Sequence, residues 1–79
     1  MAVLRLFAAA REAAGVSHDR IEGTTVAEVL EVAVDRWGTP FADVLSTSKV
    51  WVNGHEVSRD HVVGDEDEVA VLPPVSGGA

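Results

Sequence analysis

Residues 24–38, TTVAEVLEVAVDRWG, carry the clearest structural signal in this 79-residue chain. Apolar residues recur there at the spacing of a helix with one buried face. These residues are Val26, Val29, Leu30, Ala33, Val34 and Trp37. Thr25 and Glu28, three positions apart, predict a capping box at the start of the helix, and Gly38 followed by Pro40 predicts its end. An amphipathic helix of this length needs an apolar surface to cover its stripe.

The segments before this helix predict two strands. Residues 2–8, AVLRLFA, alternate so that Leu4, Leu6 and Ala8 share one face, and Phe7 falls on the opposite side with Arg5. AAAREAAG predicts a short helical turn that ends at Gly15, and SHDRIE predicts a strand at the edge of a sheet.

The segments after the helix predict a hairpin and a last strand. In KVWVNGHEVS, the pair Asn53-Gly54 lies between two β-rich runs, as in a tight hairpin turn. A strand from Glu68 to Leu72 follows, and Pro73 begins a segment that cannot donate to a sheet ladder. We therefore predict an α+β fold, in which a mixed sheet packs on one main helix. The domain covers residues 1–72, and residues 73–79 form an extended tail.

Composition excludes several classes of function. The chain has no cysteine, six basic residues and thirteen acidic residues, for a formal net charge of −7. This charge would repel nucleic acid and anionic lipid, and it favours a partner protein with a basic patch. Arg5, Arg11 and Glu12 interrupt the apolar N-terminal run that a signal peptide or membrane span requires. We expect a soluble cytoplasmic protein.

Motifs for catalysis and for ligand binding are absent from the sequence. His18, His55 and His61 lack the spacing of a zinc hydrolase motif, and no nucleotide-binding glycine pattern is present. The acidic run GDEDE at residues 64–68 lacks the ligand spacing of a calcium loop. We expect no bound metal or cofactor and a protein that is acted upon rather than one that catalyses.

The terminal segment PPVSGGA, residues 73–79, contains nothing that would anchor it to the domain. Its prolines favour an extended conformation, and six residues span roughly 20 Å, which is enough to enter a neighbouring active site. Gly77 and Gly78 have no Cβ, so a narrow channel can close on their backbone. The alternative is a frayed terminus without a role.

Residues 1–78 resemble the MoaD/ThiS family of ubiquitin-like sulfur carriers, and within it the MoaD branch, the small subunits of molybdopterin synthase. LFAAAREAAG resembles the family's N-terminal stretch, VNG its hairpin, and GDEDEVAVLPPVSGG its C-terminal signature, which is the most specific of the three. The resemblance implies a ubiquitin-like β-grasp fold.

The resemblance also implies a function for the tail. Gly78 would be adenylated by an ATP- and magnesium-dependent enzyme, converted to a thiocarboxylate, and inserted into the large subunit of molybdopterin synthase as the sulfur donor. The chain itself would bind no cofactor. Phe7 and Leu72 match family positions on an exposed sheet face that docks on partners, whereas Glu56 stands where relatives can present an apolar residue. The tail segment that would thread into the partner comprises Pro73, Pro74, Val75, Ser76 and Gly77.

Ala79 departs from the family pattern, because members that work directly end on the second glycine. It could be trimmed by a peptidase, be left from cloning, or mark a relative that has lost the carrier role; trimming fits the family best. Three other functions stay open. They are sulfur transfer for thiamine or cysteine synthesis, ubiquitin-like attachment of Gly78 to a target lysine, and an interaction module that uses only the sheet face.

Overall fold

The computed structural model describes residues 1–74, so the predictions for Val75, Ser76, Gly77, Gly78 and Ala79 lie outside the described residues. Three helices form one layer of the fold, and five strands form the other. In chain order they are β1 (Ala2–Leu6), α1 (Ala8–Ala14), β2 (His18–Ile21), α2 (Val26–Trp37), α3 (Thr39–Leu45), β3 (Lys49–Val52), β4 (His55–Glu56) and β5 (Glu68–Leu72). Within residues 1–74, each helix is too short or too polar to span a lipid bilayer.

The five strands form one mixed sheet in the order β2-β1-β5-β3-β4. β1 and β5 are parallel and occupy the middle of the sheet, and the other pairs are antiparallel. The first and last strands of the chain are therefore neighbours, with Leu6 opposite Val71. This arrangement confirms the predicted α+β class and the predicted edge position of β2.

Helix α2 covers the inner face of the sheet, as its apolar stripe predicted. Val26, Val29, Leu30 and Ala33 are buried in the core, and the charged side chains of α2 are exposed. Burying such a stripe is the main favourable contribution to the stability of a domain this small.

The start of α2 differs in one detail from the predicted capping box. The Glu28 N–H donates to Thr25 Oγ1 at 3.2 Å, as expected. The Glu28 carboxylate, however, accepts from the backbone N–H and the hydroxyl of Thr24, at 2.9 and 3.0 Å, and these bonds lower the pKa of Glu28. The cap therefore involves one residue more than the sequence motif indicates.

Helix α3 is absent from the sequence-based prediction. The sequence pattern at Gly38 and Pro40 predicts only the end of the preceding helix, but a proline is also tolerated in the first turn of a new one. Here Gly38 separates α2 from α3 at a φ of +81°, and Pro40 lies in the first turn of α3. Phe41 and Leu45, four residues apart, are both buried, and the Phe41 ring packs edge-on against Trp37 at 5.1 Å. The spacing of Phe41 and Leu45, which places both on one face of a helix, was the feature of the sequence that indicated α3.

The prediction for Ala8 was wrong. β1 ends at Leu6, and Ala8 begins α1 with a φ of +51° and is exposed, so it does not share the buried face of Leu4 and Leu6. The turn from strand to helix interrupts the alternation after Phe7. Gly15 ends α1 in the left-handed conformation, as predicted.

The Asn53-Gly54 turn is confirmed, with φ values of +51° and +88°. Asn53 also contacts the loop before β5, because its amide donates to Asp67 Oδ1 at 2.9 Å and its carbonyl accepts from the Glu68 N–H at 3.0 Å. Asp67 in turn accepts from the Gly64 N–H, and the Gly64 and Asn53 bonds lower its pKa. This network fixes the start of β5 beside the end of β3.

Candidate functional site

The helices cover only one side of the sheet, and we call the other side the outer face. Strand alternation assigns residues to it, since inward residues such as Leu4, Val50, Val69 and Val71 are buried. The outer face comprises Val3 and Arg5 of β1, His18 and Arg20 of β2, Lys49 and Trp51 of β3, Glu56 of β4, and Glu68, Ala70 and Leu72 of β5.

Leu72 lies where β5 ends, on the outer face and opposite Lys49 of β3. An open groove of about 330 Å³ runs past this position and is mostly apolar. It is lined by Thr47, Lys49, Trp51, Leu72, Pro73 and Pro74. The fold thus brings together three of the residues singled out from the sequence, Leu72, Pro73 and Pro74, at the root of the tail.

Phe7 lies at the same end of the outer face. It follows β1 in an extended conformation, one residue beyond the Leu6–Val71 pair, as Leu72 does on β5. Its side chain is 42% exposed and is not part of the hydrophobic core. These positions agree with a surface role for Phe7, and its contact with a partner stays a prediction.

Trp51 is the outer-face residue that the sequence analysis missed. It is half-buried and lies between Ala70 and Glu56 in the sheet register. The signal was available, because alternation in KVWV places Trp51 with exposed Lys49 and opposite to the inward valines. Glu56 is exposed, and its carboxylate is 4.0 Å from the Lys49 ammonium. Trp51 therefore places an apolar side chain on the outer face directly opposite the charged Glu56.

The outer face and its apolar groove lie at the point where β5 ends and the tail begins. Within residues 1–74, no three His, Asp or Glu side chains converge as metal ligands would. β5 is the central strand, bonded to β1 and β3, so the tail leaves from the most firmly held part of the sheet. Pro73 and Pro74 lack N–H groups and cannot extend the ladder. The ladder of β5 therefore ends at Leu72, on the outer face.

Replacing Phe7 with aspartate tests the surface role of this residue. Phe7→Asp should weaken docking on a partner by ~2 kcal/mol, because it removes an apolar anchor, and should change the free energy of unfolding by only about 0.5 kcal/mol. Binding titrations and melting curves measure the two effects. Leu30→Asp in the core stripe is the reference for a folding defect, and an equal loss of melting temperature in both variants would place Phe7 in the core.

Comparison with known proteins identifies the family of this chain. The family model described as the ThiS family matches residues 4–78. Among proteins of curated function, no sequence matches the chain.

Three solved structures have the same fold along nearly the whole chain. Small archaeal modifier protein 1 from Methanosarcina acetivorans is 27% identical, with 98% of this chain and 95% of that chain covered and a TM-score of 0.87. The modifier of the same name from Haloferax volcanii is 28% identical, with 96% and 97% covered and a TM-score of 0.83. A protein described as molybdopterin converting factor subunit 1, from Pyrococcus furiosus, is 30% identical, with 94% and 97% covered and a TM-score of 0.82. These likenesses confirm the β-grasp fold expected from the sequence.

Proposed function

Because this chain belongs to the ThiS family of ubiquitin-like sulfur carriers, we propose that it donates sulfur as the small subunit of a molybdopterin synthase. The observation that carries the proposal is the match to the ThiS model, which ends at Gly78 and leaves Ala79 outside. The likeness to a molybdopterin converting factor subunit favours this pathway over the others. We place the protein in the cytoplasm with its partners.

The proposed chemistry takes place on Gly78 after a peptidase hydrolyses the Gly78–Ala79 bond. A carboxylate is a poor acyl donor, so an oxygen of Gly78 first attacks the α-phosphorus of ATP and releases pyrophosphate. Hydrosulfide, or sulfur delivered at the same oxidation level, then attacks the carbonyl carbon of the mixed anhydride; the C–S bond forms as the bond to AMP breaks, which leaves a thiocarboxylate. ATP, magnesium and the catalytic side chains belong to the activating enzyme, and the acceptor precursor belongs to the large synthase subunit.

The residues of this chain contribute binding and positioning. The outer face, with Phe7, Trp51 and Leu72, holds the partner, and the tail reaches the partner's active site. The central position of β5 supports this division, because a tail that starts on a rigid strand begins at a defined point. The flanking strands β1 and β3 keep Leu72 fixed while the tail is threaded.

A second function has its own support. Two structures of comparable likeness are archaeal modifier proteins. As a modifier, this chain would use the same activation of Gly78 and then transfer the acyl group to a lysine amine, which forms an isopeptide bond. The carrier and modifier functions differ in the acceptor and share every earlier step.

Deleting the gene in the source organism separates these functions. We expect loss of molybdenum-cofactor-dependent enzyme activity, restored by a gene that encodes the chain ending at Gly78 and not by added thiamine or cysteine. A requirement for thiamine or cysteine would move the chain to another sulfur pathway. Loss of protein conjugates with normal molybdenum enzymes would establish the modifier function instead.

A further inference from the structure

The charged residues of this protein are not spread evenly over its surface. The outer face carries three cationic side chains, Arg5, Arg20 and Lys49, against two carboxylates, Glu56 and Glu68. Its formal charge is therefore +1. Because the whole chain is at −7, the remaining residues together carry −8. The outer face therefore has a positive formal charge, although the chain as a whole is negative.

The sheet register shows how these charges are arranged. One row across the outer face reads His18, Arg5, Ala70, Trp51 and Glu56. Arg5 Nε donates to Glu68 at 2.8 Å, and both side chains remain about half exposed, so this pair still faces solvent.

Arg20 has a different environment at the β2 edge. Within residues 1–74, no carboxylate lies at ion-pair distance from its guanidinium. The nearby Asp65 pairs with the ammonium of Met1, so these two charges cancel. The cationic character of the outer face is therefore greatest toward β2.

The apolar part of the outer face lies on β5 and β3, where Ala70 is the direct neighbour of Arg5, whereas Arg20 lies two strands away from β5 at the β2 edge. Ala70, Trp51 and Leu72 are half-buried, and Phe7 is exposed at the end of β1. An apolar centre with charge at its edge is the usual anatomy of a protein interface. Here the charge at one edge is positive, although the protein as a whole is acidic.

We infer that the outer face docks onto a protein surface in which an apolar protrusion is flanked by acidic residues. The protrusion meets Trp51 and Leu72, and the carboxylates meet Arg20 and Arg5. This reverses the expectation of a basic partner, which followed from the net charge alone. The partner is the adenylating enzyme, so this inference rests on the proposed function.

The negative charge of the rest of the molecule would orient an acidic partner toward the outer face. An acidic partner surface is repelled by the net charge of −8 on the rest of the molecule, so approach in the wrong orientation is disfavoured. Steering of this kind acts on the association rate and weakens as salt is added, because exposed charges are screened within about 10 Å at 0.1 M salt.

The test compares two double variants of equal net charge. Arg5→Gln with Arg20→Gln removes two cations from the outer face, and Arg11→Gln with Arg59→Gln removes two exposed cations elsewhere. Association of each variant, ending at Gly78, with the adenylating enzyme is followed by stopped flow at low and high salt. We expect the outer-face variant to associate about tenfold more slowly at low salt, the control to match the unchanged chain, and the difference to vanish at high salt.

Other outcomes of this experiment would overturn the inference. Equal slowing of both variants would mean that total charge matters and the outer face does not. Faster association of the outer-face variant would mean that the partner surface is basic. Adenylation at saturating enzyme is measured in parallel, so normal turnover with unaltered association would reject the inference and leave the proposed function intact.

A second measurement does not depend on the adenylating enzyme. The chain has two tryptophans, so Trp37→Phe leaves Trp51 as a fluorescent probe of the outer face. A short peptide with Leu and Phe flanked by Glu should change Trp51 emission at low salt, and the same peptide flanked by Lys should not. The response should disappear in the Arg5→Gln, Arg20→Gln background.

Three results of the peptide titration would contradict the inference. They are a response to the Lys peptide, no response to the Glu peptide up to its solubility limit, and a Glu-peptide response that survives in the outer-face variant. Sedimentation measures whether the chain self-associates, because the acidic helix α2 of a second copy could also bind the outer face. Self-association that is lost in the outer-face variant would assign the face to a dimer instead.

Discussion

A chain that ends at Gly78 should form an acyl-adenylate with its activating enzyme and ATP, whereas the chain that ends at Ala79 should not. Only the shorter chain presents a glycine carboxylate at the last residue that the ThiS family model matches, where we propose that the reaction takes place. In the longer chain, Gly78 is part of a peptide bond, and the free carboxyl belongs to a residue with a Cβ. Pyrophosphate release in a single turnover measures the difference, which we expect to be near complete.

A chain that ends at Gly77 is the matched control for this experiment. It also presents a free glycine carboxylate, but one residue nearer the domain. It therefore shows whether a terminal glycine is sufficient or whether the tail must also be long enough to place that carboxylate in the enzyme's active site. All three chains should bind the enzyme with similar affinity, because they share the outer face. Equal pyrophosphate release from the Gly78 and Ala79 chains would contradict the assignment of Gly78.

The second large effect should come from a side chain at the penultimate glycine. Gly77→Val, in a chain that ends at Gly78, should slow adenylation and sulfur transfer by about a hundredfold, because a channel that closes on a bare backbone displaces the reacting carboxyl when it meets a branched side chain. We expect the melting temperature to stay unchanged, because the sequence predicts that Gly77 belongs to the terminal segment and not to the packed domain. Single-turnover rates beside a melting curve measure both quantities.

Ser76→Val is the control for Gly77→Val, because it places the same branched side chain one residue farther from Gly78, at a position that already carries a Cβ. We expect a smaller loss of rate there. Normal rates with Gly77→Val would mean that the diglycine does not thread into a channel, and would favour a module that works through the outer face alone.

Local patterns in the sequence predicted most of the fold because each has a short-range physical cause. The stripe of α2, the Asn53-Gly54 turn and the end of β5 at Leu72 all follow from spacing or backbone preference within a few residues. Helix α3 was missed because a proline such as Pro40 is compatible with both the end of one helix and the start of another. The choice depends on Phe41 and Leu45 packing against the core, which is a tertiary effect.

The candidate site was only partly predictable for the same reason. Phe7 and Leu72 were identified through resemblance, and alternation alone could have added Trp51. The positive sign of the outer face could not be inferred from composition, because it depends on which strands are neighbours. Arg5 and Arg20 lie together only because β1 pairs with β2, and the parallel pairing with β5 brings Glu68 to Arg5.

The most direct test of the carrier function is the intact mass of the protein purified from its own cells. We expect a chain that has lost Ala79 and in which one carboxyl oxygen of Gly78 is replaced by sulfur. The fraction with sulfur should fall when the adenylating enzyme is deleted. A population that keeps Ala79 and an unmodified carboxyl, in cells that make active molybdenum enzymes, would contradict the carrier function.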